Sequence, residues 1–150
     1  MRHHVEKTLP YTPDQLFLLV GDIARYPEFV PWVTGMRTWN QVDDGAGVTG
    51  ADAEAQVGFS FLKERFSTRV RRHADQRLVT VRLLSGPFSK LDNSWRFLPD
   101  AEGTRVVFDI DFAFKTRLLD GLLNANFDHA VSRLMSCFED RAAALYGPAA

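Results

Sequence analysis

The last third of the chain changes its hydrophobic period, and this change limits the fold more than any other feature of the sequence. Between Val106 and Phe114 every second residue is large and apolar, the pattern of a β-strand with one buried face. From Leu119 to Leu145 apolar residues recur at helical spacing and give a helix one broad apolar side. We therefore expect a sheet whose apolar face is covered by a long C-terminal helix. Whether a packed core or a cavity lies between them decides the function.

The rest of the chain predicts two short helices and further strands. Thr12, Pro13 and Asp14 form a helix start, with an N-cap residue, a proline at the first helical position and an acid in the first turn. A second short helical segment is expected over residues 23–29. Alternating strands follow, and the tight turns between them imply antiparallel pairing. We predict one α+β domain over residues 1–150, with about six to seven antiparallel strands around the C-terminal helix.

Composition narrows the classes of function. Cys137 is the single cysteine, so no internal disulfide is expected, and we interpret it as a small packing residue. The net charge of -1 provides no overall attraction to nucleic acid. No run approaches the roughly 20 apolar residues of a membrane span, and the first residues lack the apolar core of a secretory signal. These features predict a cytoplasmic protein.

Three features together resemble a known family. They are the segment Tyr26–Trp32 (Tyr-Pro-Glu-Phe-Val-Pro-Trp), the stretch that runs from Gly86-Pro87-Phe88 to Leu98, and the strand-to-helix ending. The chain is similar to the ubiquinone-binding protein branch of the START-like, or polyketide cyclase/dehydrase and lipid transport, superfamily. That branch also contains a ribosome-association toxin. The resemblance implies a helix-grip fold, in which a curved antiparallel sheet grips the C-terminal helix over a cavity.

The resemblance also implies a function: binding and carriage of ubiquinone or a related prenylated quinone, in support of respiratory electron transport. Such a ligand needs an apolar channel with a few polar groups for its head, since each buried CH₂ of its tail contributes about 0.8 kcal/mol. No other cofactor is implied. The predicted ligand-binding residues are Tyr26, Phe29, Trp32, Val57, Phe59, Glu64, Phe66, Val81, Asn93, Trp95, Phe108, Ile110, Phe112, Phe127, Val131 and Leu134. From the residues alone, the same apolar stripe is more typical of an ordinary packed core than of a ligand channel, and only the resemblance favours the channel.

Two of these residues are polar and share the inward faces of their strands by alternation. Asn93 lies in the series Leu91, Trp95, Phe97, so its amide either donates to a quinone carbonyl or satisfies nearby protein groups. Glu64 shares a face with Phe66. It either binds a polar head group or serves as an acid, or else it lies at a sheet edge or pairs with an arginine.

The two ends of the predicted cavity receive separate interpretations. The Tyr26–Trp32 segment is stiffened by two prolines, and it is either a cap over one end or a rigid connector packed on the core. At the other end we predict an apolar entrance that meets the inner face of a membrane. The same side chains are also typical of a dimer contact or of plain core. The entrance residues are Phe88, Leu119, Leu122 and Leu123.

A face of arginines is the basis of an alternative function. Arg65, Arg69 and Arg71 share one strand face, where they either contact phosphates of ribosomal RNA or lipid, or form a solvated face balanced by acids. A ribosome-associated regulator is therefore the second candidate, and no DNA partner is expected.

The four histidines lack metal-ligand spacing, and no phosphate loop or nucleophile elbow is present. We predict no metal site, no catalytic residue and no enzyme. A cyclase-like enzyme using Glu64 or Tyr26 as acid or base is the third candidate.

Overall fold

In the described part of the chain, the fold consists of a seven-stranded antiparallel sheet and three α-helices. The computed structural model describes residues 2–59 and 62–147, and of these the side chains of Phe59 and Leu62 are not described. The strands are β1 (Arg2–Leu9), β2 (Val33–Asp43), β3 (Val48–Phe59), β4 (Leu62–His73), β5 (Leu78–Ser85), β6 (Phe88–Asp100) and β7 (Gly103–Phe114). The helices are α1 (Pro13–Gly21), α2 (Arg117–Ala125) and α3 (Phe127–Tyr146), with a 3₁₀ helix at Ile23–Glu28.

The strand order is β1-β7-β6-β5-β4-β3-β2, and every neighbouring pair is antiparallel. Consecutive strands from β2 to β7 are therefore neighbours, as tight turns require. The first strand instead pairs with the last, so that Arg2 lies opposite Asp111 and Leu9 opposite Thr104. The helices lie on the apolar face of this curved sheet. The predicted α+β helix-grip fold is confirmed.

The predicted start of α1 is confirmed in detail. The backbone N–H of Gln15 donates to Thr12 Oγ1 at 3.1 Å, and the backbone N–H of Thr12 donates to Gln15 Oε1 at 3.0 Å. This capping box satisfies two backbone donors that a helix start leaves free. The helix then buries Leu16, Phe17, Leu19 and Val20. It thereby anchors the segment between β1 and β2 on the core.

The C-terminal helical pattern forms two helices, where one continuous helix was expected. Asn126 has φ −114° and ψ 13°, outside the helical region, and it separates α2 from α3. Its side-chain amide donates to the carbonyl of Leu122 at 2.8 Å and so satisfies one of the carbonyls at the end of α2. The apolar spacing continues through position 126, which is why the periodicity does not register the break. Of these two helices only α3 has buried residues, so α3 and not α2 packs into the core.

An aromatic cluster fixes α3 against the sheet. Phe138 of α3 is buried, and its ring lies 5.4 Å from that of Trp95 on β6 and 5.5 Å from those of Tyr26 and Phe29. These are edge-to-face contacts, which favour aromatic pairs beyond the area that they bury. The 3₁₀ helix, the sheet and α3 therefore meet at one end of the apolar layer.

An ion pair on the outer face of the sheet predicts a pH effect on stability. Asp52 on β3 is only 3% exposed, and its carboxylate accepts hydrogen bonds from Arg69 Nε and Asn40 Nδ2, each at 3.0 Å. The arginine and the amide together hold the pKa of this carboxyl below its ordinary value of 3.8.

A lowered pKa in the folded state adds stability above the ordinary pKa, and that stability is lost as the pH falls from there through the folded value. We expect Asp52→Asn to be less stable than the wild type at pH 7, with a difference that shrinks as the pH falls below 3.8. Urea unfolding at several pH values measures this. A difference that stays constant down to pH 2 would contradict the assignment.

Candidate functional site

A cavity of about 660 Å³ lies between the sheet and helices α2 and α3. It is within the size range of small-molecule sites, which is roughly 300–1,000 Å³. Its wall is apolar except for a few side chains that carry polar atoms. The alternation of β3, β4, β6 and β7 directs one apolar row of each strand to this wall, and α3 closes the opposite side. The space between sheet and helix is therefore hollow over part of its extent.

Most of the predicted site residues lie on this wall. The structure brings together Tyr26, Trp32, Val57, Phe66, Val81, Asn93, Trp95, Phe108, Ile110, Phe112, Phe127, Val131 and Leu134, together with the predicted entrance residues Phe88, Leu119, Leu122 and Leu123. They come from strands β3 to β7, the two C-terminal helices and the 3₁₀ segment with the residues after it. Their placement agrees with the alternation argument.

Three predicted residues do not belong to the described wall. Phe29 packs behind the wall, where its ring centroid lies 5.7 Å from that of Tyr26. The Arg141 guanidinium lies over the Phe29 ring, 5.1 Å from its centroid. Glu64 lies in a separate polar cleft with Lys63 and Arg65, because the cavity ends before this part of β4. Glu64 therefore does not line the cavity, although in strand register it lies opposite the wall residue Val57. The side chain of Phe59 lies outside the described residues.

The prediction omitted several wall residues that the structure adds. Ala53, Ala55, Thr68 and Leu91 follow from the same strand alternation and could have been included. The polar residues Asn126, His129 and Arg133 gave no comparable signal, because a helical period does not tell a cavity rim from a solvated face. The remaining additions are Ile23, Val30, Val33, Met36, Val70, Phe114, Ala130 and Phe138.

Small residues on β3 help to make the cavity. Ala51, Ala53 and Ala55 occupy successive inward positions and are all buried. The latter two line the cavity, and Ala55 lies opposite Met36 of β2 and Phe66 of β4. A larger side chain at these positions would extend into the space that the alanines leave open. The small side chains of β3 therefore contribute to the hollow.

The polar groups of the wall form two sets. On the sheet side are Thr68 and Asn93, and on the helix side are Asn126, His129 and Arg133. The guanidinium of Arg133 lies over the Trp32 ring, 5.2 Å from its centroid, which is a cation–π arrangement. The helix-side set is exposed to solvent, so it forms a rim, whereas Asn93 is largely enclosed.

Tyr26 is locked in a structural hydrogen bond. Its hydroxyl donates to the carbonyl of Val20, and burial raises the pKa of the phenol far above its ordinary value. The phenol therefore stays protonated and is occupied as a donor. Since Glu64 lies outside the cavity, the two acid–base candidates of the cyclase hypothesis do not meet there. Within residues 2–59 and 62–147, no group of three histidine, cysteine or acidic side chains is placed to hold a metal ion.

The predicted entrance residues meet at one end of the cavity. Phe88 stacks on Phe114 with ring centroids 4.4 Å apart and contacts Phe66 edge-on at 5.3 Å. Helix α2 lies over this end and is attached by the backbone N–H of Phe114, which donates to Asp120 Oδ1 at 3.1 Å. Leu118, on the outside of α2, is 72% exposed. In the described part of the chain, the helices are too short or too polar to span a bilayer.

Comparisons with known proteins agree with this architecture. The chain is similar to the ribosome association toxin RatA of Rickettsia prowazekii, with 32% identity over 139 residues that cover 91% of this chain and 92% of the relative. It is also similar to the mitochondrial coenzyme Q-binding protein COQ10 homolog B of Xenopus laevis, with 29% identity over 94% of this chain and 57% of the relative.

A solved structure gives the same picture. The solution structure of the 18 kDa protein CC1736 from Caulobacter crescentus is 61% identical, covers 99% of both chains and superposes with a TM-score of 0.84. The family model for polyketide cyclase/dehydrase and lipid transport matches residues 9–139, which include the 3₁₀ segment, strands β2 to β7 and most of α3. On this evidence the chain belongs to the polyketide cyclase/dehydrase and lipid transport family.

Proposed function

We propose that the protein binds and carries a lipophilic ligand, ubiquinone or a related prenylated quinone, in the cavity between the sheet and α3. The observation that carries this proposal is the 660 Å³ apolar cavity with few polar groups on its wall. The side chains around an apolar cavity of this size lack van der Waals contacts that a packed core would give them, and an apolar ligand would supply those contacts. The proposal assigns no catalytic residue, no metal and no resident cofactor.

The chemistry of the wall suits such a ligand. A quinone head is a flat ring with weak acceptors, and the wall offers flat aromatic partners such as Trp95 and Phe108, whose rings lie 4.3 Å apart. An isoprenoid tail needs only apolar surface, which the rest of the wall supplies. The similarity to a coenzyme Q-binding relative favours a quinone over other lipids. Carriage of a quinone would support respiratory electron transport.

The entrance end fits a transient contact with the inner face of a membrane. Leu118 is exposed beside Lys115 and Arg117, so this end combines an apolar side chain with cations that suit anionic lipid head groups. A cytoplasmic protein that binds the membrane transiently in this way could take up a quinone through the end of the cavity where Phe88 and α2 lie.

Tryptophan fluorescence offers a direct test. Trp32 and Trp95 line the cavity, so a bound quinone should quench their emission. We expect titration with a ubiquinone that carries one isoprenoid unit to give saturable quenching at one ligand per chain. Free tryptophan amide provides the control for collisional quenching. Quenching that rises linearly, as with the free amide, would contradict the proposal.

Association with the ribosome is the second candidate, and the similarity to RatA favours it. The outer face of the sheet carries Arg65, Arg69 and Arg71, which could contact RNA phosphates. Two of them already have protein partners. Arg69 donates to Asp52 at 3.0 Å, and Arg71 Nη1 donates to the carbonyl of Val70 at 2.9 Å. Because these two arginines are already bound to protein groups, the arginine face is a weaker candidate site than the cavity.

The arginine hypothesis has its own test. If the face binds ribosomal RNA, the Arg65→Ala/Arg71→Ala variant should co-sediment with ribosomal subunits less than the wild type, and its binding should depend less steeply on salt. Arg69 is retained so that Asp52 keeps its partner. The matched control is Arg96→Ala/Arg105→Ala, which removes two arginines from other strands. Equal co-sedimentation of all three proteins would discard the hypothesis.

A further inference from the structure

Asn93 places a carboxamide among apolar neighbours on the sheet side of the cavity. In strand register it lies opposite Val81 of β5 and Ile110 of β7, and both of these residues line the cavity. Leu91 and Trp95, the next inward residues along β6, also line it. An apolar side chain would match every one of these neighbours. The amide is therefore out of place as a packing residue.

The amide oxygen of Asn93 is unpaired among the residues that the structure describes. Oδ1 is buried, and within residues 2–59 and 62–147 no group donates a hydrogen bond to it. A buried acceptor in this state carries the full penalty of its lost hydration. Buried polar groups in folded proteins are normally paired, so an exception on a cavity wall is explained when the partner is a ligand. The unpaired amide thus points to a polar group on whatever fills the cavity.

We propose that Asn93 is the residue that anchors the ligand head group, and that it serves both the oxidised and the reduced form of a quinone. This inference rests on the proposed function. A carboxamide carries one acceptor and two donors. A quinone head offers acceptors only, whereas a quinol offers hydroxyl donors. Rotation of the amide by half a turn exchanges its oxygen and nitrogen. The same side chain can therefore donate to a quinone carbonyl or accept from a quinol hydroxyl.

The anchor also sets specificity. An isoprenoid hydrocarbon can fill the apolar space but leaves the amide unpaired. A site that contains a buried polar group rejects ligands that cannot pair with it. Asn93 should therefore favour isoprenoids with a hydrogen-bonding ring over isoprenoids without one.

Calorimetric titration of the wild type and Asn93→Leu tests this inference. The probes are a ubiquinone with one isoprenoid unit, its quinol kept reduced under anaerobic conditions, and farnesene as the isoprenoid without a head. We expect Asn93→Leu to raise the Kd for the quinone and for the quinol about three- to tenfold each. Its Kd for farnesene should be unchanged or lower. Its melting temperature without ligand should rise by a few degrees, because the unpaired amide is gone.

Asn124 provides a matched control. Its Oδ1 is also buried and finds no hydrogen-bond partner in the described part of the chain, but the residue lies on α2 and does not line the cavity. Asn124→Leu should raise the melting temperature in the same way and leave the Kd for all three probes at the wild-type value. If Asn93→Leu does not fold, Asn93→Ala carries the same expectation for the quinone and the quinol.

The outcomes separate this inference from the proposed function. If the wild type binds the quinone, and Asn93→Leu binds both quinone and quinol as tightly as the wild type does, the role of Asn93 is overturned and the proposed function stands. If Asn93→Leu raises the Kd for only one of the two redox forms, the claim that the amide serves both is overturned. A wild type that binds neither quinone nor quinol overturns the proposed function itself.

Discussion

The Ala55→Phe variant is expected to bind the quinone at least about tenfold more weakly than the wild type. Ala55 is 7% exposed and lines the cavity from β3, facing away from the outer ion-pair layer. A benzyl group at this position extends into the space that a ligand would occupy. Displacing even two methylene groups of the ligand would cost about 1.6 kcal/mol, which is more than tenfold in Kd.

The fold should tolerate this substitution. Overpacking a filled core destabilises by about 1–3 kcal/mol, since side chains are forced off their rotamers. A hollow wall receives the added ring without that cost, and the ring gains apolar contacts. We therefore expect a melting temperature at or above that of the wild type. A strongly destabilised variant would indicate that the space beside Ala55 is already filled.

Ala144→Phe is the control for this experiment. It makes the same chemical change on the exposed side of α3, away from the cavity wall. Its Kd for the quinone should equal that of the wild type in the fluorescence titration. If both variants bind as tightly as the wild type, the cavity beside Ala55 is not the binding site.

The largest expected effect on stability is that of Gly103→Ala. Gly103 begins β7 and has φ +133°, a region that residues with a side chain rarely adopt. A Cβ there would lie 2.3 Å from the carbonyl oxygen of Leu9 and 3.0 Å from the backbone nitrogen of Tyr11. The clashing atoms belong to the backbone, so no rotamer change can relieve them. The substitution would push β1 away from β7.

We expect Gly103→Ala to lose at least about 3 kcal/mol of unfolding free energy. Backbone strain at such a φ costs of order 1–3 kcal/mol, and the steric clash adds to it. A domain has only about 5–15 kcal/mol in total, so much of the protein should be unfolded at moderate urea. Equilibrium urea unfolding measures the loss.

Gly45→Ala separates the two contributions. Gly45 also has a positive φ, +74°, but a Cβ there would meet nothing within 4 Å. This variant should show only the conformational cost, about 1–2 kcal/mol. If Gly103→Ala loses no more stability than Gly45→Ala, the close approach of Leu9 to the start of β7 does not constrain the fold.

The sequence predicts the fold well where one physical rule acts alone. Alternation places the strands, and the N-cap Thr12 followed by Pro13 marks the start of α1, because both signals depend on a few neighbouring residues. The break at Asn126 was not predicted. Its cause is one non-helical residue whose side chain bonds to Leu122, and such a residue leaves the apolar period intact. Pairing of β1 with β7 likewise depends on contacts far apart in the chain.

For the site, the sequence predicts which strand residues face inward, but it does not predict the extent of the cavity. Alternation assigns Asn93 and Trp95 to the inward face, and the structure places both on the cavity wall. The same rule assigns Glu64 inward, but alternation cannot tell where along β4 the cavity ends. The volume of the hollow depends on the sum of many side chains, including Ala53 and Ala55. Periodicity reports which face is apolar and carries no information on whether that face is filled.

Solvent extraction followed by mass spectrometry tests the central claim most directly. The protein would be purified without detergent from the cells that naturally produce it, in parallel with Ala55→Phe. We predict close to one prenylated quinone per chain in the wild-type extract and much less in the variant. A folded wild-type protein whose extract contains no lipophilic molecule above the level of the Ala55→Phe extract would contradict the account.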